Sequence, residues 1–142
     1  MKEYKIFIDE NLPPKLARGL HLLQEPQNAK EGVKVDVISI KDHFGEGAKD
    51  EEWILEVGKL QGIVITQDYR IQSLKHQCEL YKQYGVGILF FSPPSNKGFA
   101  YWEMVKQMVK RWEEIKRIVR KNKLPFAFRC SARSDFENID DD

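Results

Sequence analysis

Hydrophobic and polar positions change period several times along the chain, and each change marks an element. Tyr4-Lys5-Ile6-Phe7-Ile8 is a near-continuous apolar run, suited to a parallel strand covered on both faces. Two prolines then stop the strand and open a helix. Leu16, Leu20 and Leu23 recur at helical spacing with Ala17 beside them, predicting a helix over 14–23. The stretch 24–32 is polar and carries a proline, so it reads as a surface loop. Val33, Val35 and Val37 alternate with Lys34 and Asp36, giving a second strand over 33–40. The stretch 41–49 has glycines and no period, and reads as a loop. Asp50 is then a good N-cap, with Glu51 and Glu52 at the positive end of a helix carrying Trp53, Ile54, Val57 and Leu60.

Gly62 starts a third strand, Ile63-Val64-Ile65. After Asp68 a mixed segment through Tyr84 is helical in pattern, with Ile71, Leu74, Cys78 and Tyr81 at three- and four-residue steps. A fourth buried strand over 86–91 is stopped by Ser92-Pro93-Pro94. The longest predicted helix covers 98–121. Its apolar face is Trp102, Val105, Met108, Val109, Trp112, Ile115 and Val119. Its other face carries Lys106, Lys110, Arg111, Lys116, Arg117, Arg120 and Lys121. Phe126, Phe128 and Cys130 alternate along a last strand, placed at the edge of the sheet, and the acidic stretch 135–142 reads as a frayed tail. The resulting order, βαβαβαβαβ, implies an α/β fold with right-handed crossovers and a mostly parallel sheet between helices. One domain over 1–134 accounts for all of it, with 135–142 outside.

Composition narrows the classes without naming a partner. A chain of 142 residues buries a core without staples. Lys plus Arg (23) nearly balances Asp plus Glu (22). Cys78 and Cys130 lack metal-ligand spacing and read as buried thiols in a reducing cytoplasm. The amino terminus runs straight into a strand without a secretory core, and no apolar run approaches the ~20 residues that span a bilayer, so no membrane association is expected.

The candidate chemistry lies at strand ends, because ligands of such sheets bind outside the carboxyl ends of the strands where strand order reverses. Asp9 and Asp68 both fall just past such ends, and Asp50 with Glu51 opens a helix at the same level. Three carboxylates meeting at one point repel unless one takes up a proton or a cation joins them. Mg²⁺ or Mn²⁺ suits a few carboxylates plus water and substrate phosphate, which makes metal-dependent nucleic-acid hydrolysis the natural reaction class. Plainer readings compete at most positions. Asp50 also serves as a simple N-cap, Glu51 and Glu52 as solvated first-turn charges, Asp68 as a cap, and Thr66 as the end of its strand. Asp9-Glu10-Asn11 is harder to dismiss, since a loop needed only to turn more often uses glycine. His21, His43 and His76 show no ligand spacing, and the tryptophans Trp53, Trp102 and Trp112 read as packing. A helix whose far side is core carries charge in any case. The bias to Lys and Arg over 98–121 also suits phosphate contacts or an acidic partner segment, with Lys106, Lys110 and Arg117 as the candidates for RNA.

Three segments together resemble a family. Phe7-Ile8-Asp9-Glu10-Asn11-Leu12-Pro13-Pro14-Lys15-Leu16-Ala17, then Ala48-Lys49-Asp50-Glu51-Glu52-Trp53-Ile54, then Val64-Ile65-Thr66-Gln67-Asp68-Tyr69-Arg70-Ile71, are similar in order and spacing to PIN-like domains of the small prokaryotic type with a D-E-N-L-P opening. The resemblance covers roughly the first two thirds of the chain. It implies a three-layer α/β/α fold and Mg²⁺- or Mn²⁺-dependent ribonuclease activity. Many such domains are VapC-like toxins of toxin–antitoxin pairs, which adds RNA as substrate and an antitoxin as partner. By motif, Asp9 takes the place of the first acidic ligand and Asn11 the polar residue two places on. Asp50 or Glu51 takes the second acidic position, and Asp68 the aspartate of T-x-D, with Thr66 supporting the bound water. One departure is plain: Tyr69-Arg70-Ile71 stands where a further acidic residue often follows. Arg70 weakens the case for a second metal and suits the scissile phosphate instead. The long helix and the 126–130 segment suit a homodimer or antitoxin contact.

Two other classes fit part of the pattern. One is a PIN-like protein without catalysis that binds RNA or a partner, favoured by Arg70. The other is a phospho-receiver domain, against which stands the absence of a lysine after the strand over 86–91, where Ser92-Pro93-Pro94 occurs.

Overall fold

Strand alternation builds two cores, one on each face of a single sheet. The computed structural model describes residues 2–67, 71–95 and 97–139. In chain order the elements are β1 (Lys2–Ile8), α1 (Pro14–Glu31), β2 (Val33–Ser39), α2 (Ile40–Phe44), α3 (Asp50–Lys59), β3 (Ile63–Gln67) and α4 (Ile71–Gln83). β4 (Gly87–Ser92), α5 (Tyr101–Lys110), α6 (Trp112–Lys121), β5 (Ala127–Ser131) and β6 (Ser134–Asn138) complete the described residues. The sheet order is β2-β1-β3-β4-β5-β6, with every pair parallel except β5 and β6.

Ile6, Ile8, Ile63, Ile65, Leu89 and Phe91 point to one face, against Leu16, Ala17 and Leu20 of α1, Met104 and Met108 of α5, and Ile115 and Val119 of α6. Phe7, Val64, Ile88 and Phe90 point to the other, against Ile40 of α2, Trp53, Ile54 and Val57 of α3, and Tyr81 of α4. Both faces of the central strands are therefore dry, which is why they read as continuous apolar runs. The fold is the three-layer α/β/α arrangement expected. Strand order reverses between β1 and β3, because the chain leaves β1 towards β2 and then returns past it.

Several local expectations are corrected. The helix expected over 14–23 continues to Glu31, so 24–32 is not a loop. Pro26 lies inside α1, where it lacks the N–H that would bond one turn back. Buried Gln24 holds the turn together: its Nε2 donates to Asn28 Oδ1 at 3.0 Å, and its Oε1 accepts from Trp112 Nε1 at 2.9 Å and Lys116 Nζ at 3.2 Å. Ile40 belongs to α2, not to the second strand, because Ser39 accepts from the Asp42 N–H and starts a helix inside the expected loop 41–49. Asp50 is not the N-cap of α3. Lys49 holds that place without a side-chain cap, while Asp50 Oδ1 accepts from the Trp53 indole at 3.2 Å.

The helix expected over 98–121 is two helices, broken at Arg111, whose backbone lies at φ −100°, ψ 4°. Arg111 and Lys116, expected on a solvated face, are both buried. Arg111 donates to Gln107 Oε1 at 3.1 Å and to the carbonyls of Ser131 and Ser134 at 2.6 and 3.0 Å, tying α5 to the β5–β6 turn. Lys116 donates to Glu31 Oε1 at 2.9 Å. Trp102 and Val109, expected in the core, are 75% and 56% exposed, and with Leu23 and Val105 they line a shallow apolar cavity of about 180 Å³ between α1 and α5.

Residues 126, 128 and 130 do share a face, but β5 is not the edge. β6 pairs antiparallel outside it, so residues 135–138, expected in a frayed tail, are strand, and the domain passes the boundary expected at 134. Cys130 is buried, and burial pushes its thiol up to about 12. The side chains of Ile71 and Leu74 lie outside the described residues. Among those described, no helix is long and apolar enough to cross a membrane.

Candidate active site

The strand-order reversal places the ends of β1 and β3 side by side. Ile8 is in register with Ile65, and the Asp9 N–H continues the ladder by donating to the Ile65 carbonyl at 3.0 Å. Asp9 is thus fixed by the sheet while its side chain leaves it. The turn after Asp9 is closed by Leu12 N donating to the Asp9 carbonyl at 3.0 Å, and buried Leu12 anchors the loop into the core.

A chain of polar groups then connects the two strand ends. Asn11 Nδ2 donates to Thr66 Oγ1 at 3.2 Å and to the Gln67 carbonyl at 2.8 Å. Thr66 Oγ1 donates to Asp9 Oδ2 at 2.6 Å, and the Glu10 N–H donates to Asp9 Oδ1 at 2.7 Å. The hydroxyl has one proton, and the short contact to Asp9 takes it in preference to the Gln67 carbonyl at 3.4 Å. Each donor polarises the next, so Asn11 strengthens the bond that Thr66 makes to the carboxylate.

Gln67 extends the network to a third segment. Its Nε2 donates to the Asn11 carbonyl at 3.0 Å and its Oε1 accepts from the Phe99 N–H at 3.2 Å. Gly98 makes that approach possible: its φ is +80°, and a Cβ there would sit 3.0 Å from Gln67 Oε1. Sequence reasoning passed over Gln67, whose only signal was its place between Thr66 and Asp68.

The carboxyl of Asp9 is held above its ordinary range. Loss of water around it is the main cause. The Thr66 and Glu10 hydrogen bonds pull the other way, and the charges of Asp50 and Glu10 add to the rise. Asp50, 41 positions further along the chain, therefore acts on Asp9 as a like charge. Carboxylate oxygens are the ligands that a hard divalent cation takes, and both oxygens of Asp9 also accept a hydrogen bond, from the Glu10 N–H and from Thr66. Among the described residues no three of His, Cys, Asp or Glu come together as a metal cluster. Asp68, the expected third member, lies outside the described residues, as does Arg70.

The structure thus joins Asp9, Asn11 and Thr66 by hydrogen bonds, while Asp50, at the start of α3, bears on Asp9 only through its charge. Glu51 is exposed, and no described contact joins it to Asp9. Lys106 and Lys110 are exposed on α5, and Arg117 on α6. Arg117 lines a cavity with Tyr4, towards the amino end of β1 and away from Asp9 at its carboxyl end.

The model of the PIN like domain family matches residues 4–93, more than half of the chain, and the chain belongs to that family. The matched stretch contains Asp9, Asn11, Asp50 and Thr66 and runs from β1 to the end of β4. No curated protein matches the chain. Among solved structures, a 3-dehydroquinate dehydratase-like protein from Bifidobacterium longum is similar, at a TM-score of 0.41 and 12% identity over 82% of this chain and 99% of that one. A likeness at that level carries no inference here.

Proposed function

We propose that this protein is a metal-dependent endoribonuclease of PIN type, acting in the cytoplasm as the toxin of a type II toxin–antitoxin pair. The observation that supports it most is the Asn11–Thr66–Asp9 chain at the strand-order reversal, with the charge of Asp50 bearing on the same carboxylate. Asp9 and Asp50 would hold Mg²⁺ or Mn²⁺, with Asp68 as a further donor next to the end of β3. When bound, such an ion supplies an activated water and neutralises charge on the scissile phosphate.

The chain's own residues supply position. Thr66 and the Glu10 N–H each occupy one oxygen of Asp9 and so fix the plane of its carboxylate. Asn11 and Gln67 hold Thr66 and the loop after β1, so the rim is set before substrate arrives. Arg70, following Asp68 in the chain, is assigned to the substrate phosphate. Glu51 remains a candidate only as a neighbour of Asp50. The toxin role draws on the D-E-N-L-P opening, and a small DNA-binding protein encoded beside this one is the genomic observation that tests it.

Cleavage of single-stranded RNA with Mn²⁺, compared between wild type and Asp9→Asn, tests the reaction. Loss of cleavage by at least a hundredfold with unchanged circular dichroism is expected, and cleavage at the wild-type rate overturns it. A second reading, a PIN-like protein that binds RNA or a partner without cutting, is favoured by Arg70 standing where an acidic residue often follows. Calorimetry separates the two, because that version predicts no Mn²⁺ binding that depends on Asp9.

A further inference from the structure

At the rim opposite Asp9, two adjoining cavities of about 550 and 510 Å³ share Tyr4, Arg120 and Lys121 in their walls. They open where β1 begins and α6 ends. Seven lysine or arginine side chains line the pair against three carboxylates. Those carboxylates already have lysine partners: Glu31 and Glu113 face Lys116 at 2.9 and 3.1 Å, and Glu3 faces Lys34 at 3.6 Å. Arg117, Lys121 and Lys123 make no ion pair among the described residues. The concavity is therefore positive in a chain whose total charge is only +1. Cations in the last turn of α6 complement its dipole, which accounts for Arg120 and Lys121 but not for Lys2, Arg117, Lys123 or the hollow itself.

Tyr4 gives the hollow a second character. It is half-buried between the two cavities, and Lys2 Nζ lies 5.7 Å from its ring centroid. An aromatic face within a cationic groove offers stacking for a base and charge for the phosphates beside it, the pairing by which single strands are held without sequence preference. Low-dielectric walls of one sign also focus the field outward and draw polyanions in.

We propose that this groove, formed by Tyr4, Lys2, Arg117, Arg120, Lys121 and Lys123, is a binding site for single-stranded nucleic acid, separate from the rim that carries Asp9. From Tyr4 to Asp9 the strand runs five residues, roughly 17 Å, so a strand in the groove lies at a distance from Asp9. The ligand assignment stands on the groove and not on any reaction at Asp9.

The test is fluorescence anisotropy of a short labelled RNA with the whole protein in chelator, so that no cleavage intervenes. Binding is expected to weaken steeply with salt. The pair Arg120→Glu and Lys121→Glu should weaken it at least tenfold, and Tyr4→Ala roughly tenfold. Arg120→Gln with Lys121→Gln, gentler to the fold, should give an intermediate loss with an unchanged melting curve. Binding unaffected by the charge reversal overturns the proposal. So does polyglutamate competing as well as RNA while Tyr4→Ala has no effect, which assigns the groove to an acidic protein segment. Groove binding intact in a wild-type protein that cleaves no RNA with Mn²⁺ supports the groove and counts against the nuclease reading alone.

Discussion

Thr66 donates its hydroxyl proton to Asp9 at 2.6 Å across 57 residues of chain, joining the ends of two parallel strands. That bond stabilises the charged carboxylate, yet burial outweighs it and the group stays above its ordinary pKa. Ionised, the buried carboxyl therefore costs the fold some stability.

Asp9→Asn tests that balance through pH. The folded pKa is raised above the ordinary 3.8, so between the two values the folded state keeps a proton that the unfolded chain has released. Stability falls as pH rises through this window and stays lower above it. The variant should therefore melt at or above the wild-type temperature at pH 7, the gap closing near pH 3. Asparagine can be accommodated, accepting from the Glu10 N–H while Thr66 turns its proton to the Gln67 carbonyl. Added Mn²⁺ should raise the melting temperature of wild type and leave the variant unmoved. Equal shifts in both would place the ion elsewhere.

Thr66→Val removes the donor but keeps the branched shape that suits β3. Asp9 then loses a hydrogen bond that lowers its pKa, and Asn11 loses an acceptor. The acid limb of kcat/KM against pH is expected to move to higher pH, with Thr66→Ser restoring most of the wild-type profile. A uniform loss at every pH would mean that Thr66 acts only through packing.

Lys116→Met should cost about 2 kcal/mol by denaturant unfolding, because it removes charged hydrogen bonds from Glu31, a carboxylate that water still reaches. Burial alone would raise the Glu31 carboxyl, but hydrogen bonds from Lys116 and Gln24 and the charges of Lys116 and Arg120 bring it below 4.5. A depressed carboxylate contributes stability above its unfolded value and loses it as pH falls through the folded one. Wild type should thus lose stability below pH 4.5 more steeply than the variant. Parallel curves would remove this pair from the account.

The tryptophans divide sharply. Trp102→Ser should shift stability by less than about 0.5 kcal/mol, since the ring is 75% exposed. Trp53→Ala should cost about 3–5 kcal/mol, because Trp53 is buried against Tyr81 at 6.0 Å between ring centroids. Chemical denaturation of the two variants side by side measures both.

Local pattern reached the core strands, their order along the chain and Asp9. Burial on both faces writes itself into Ile6-Phe7-Ile8 and Ile63-Val64-Ile65 without reference to anything distant. The extent of α1 was hidden, because Pro26 signals a break while Gln24 is held by Trp112 and Lys116, 88 and 92 residues away. Arg111 and Lys116 looked solvated for the same reason: a helical period says which residues share a face, not whether another element covers it. The converse applies to Trp102, apolar on a face that none of the described residues covers. Thr66 read as the end of a strand or, by resemblance, as support for a bound water, and Gln67 only as the end of a strand, since their hydrogen bonds arise when β3 comes to lie beside β1 and the loop at Phe99 closes over it. Periodicity is a property of neighbours in the chain, whereas hydrogen-bond partners and cover are properties of neighbours in space. That difference is why the strands and Asp9 could be read from the chain, while the network that holds Asp9 had to await the fold.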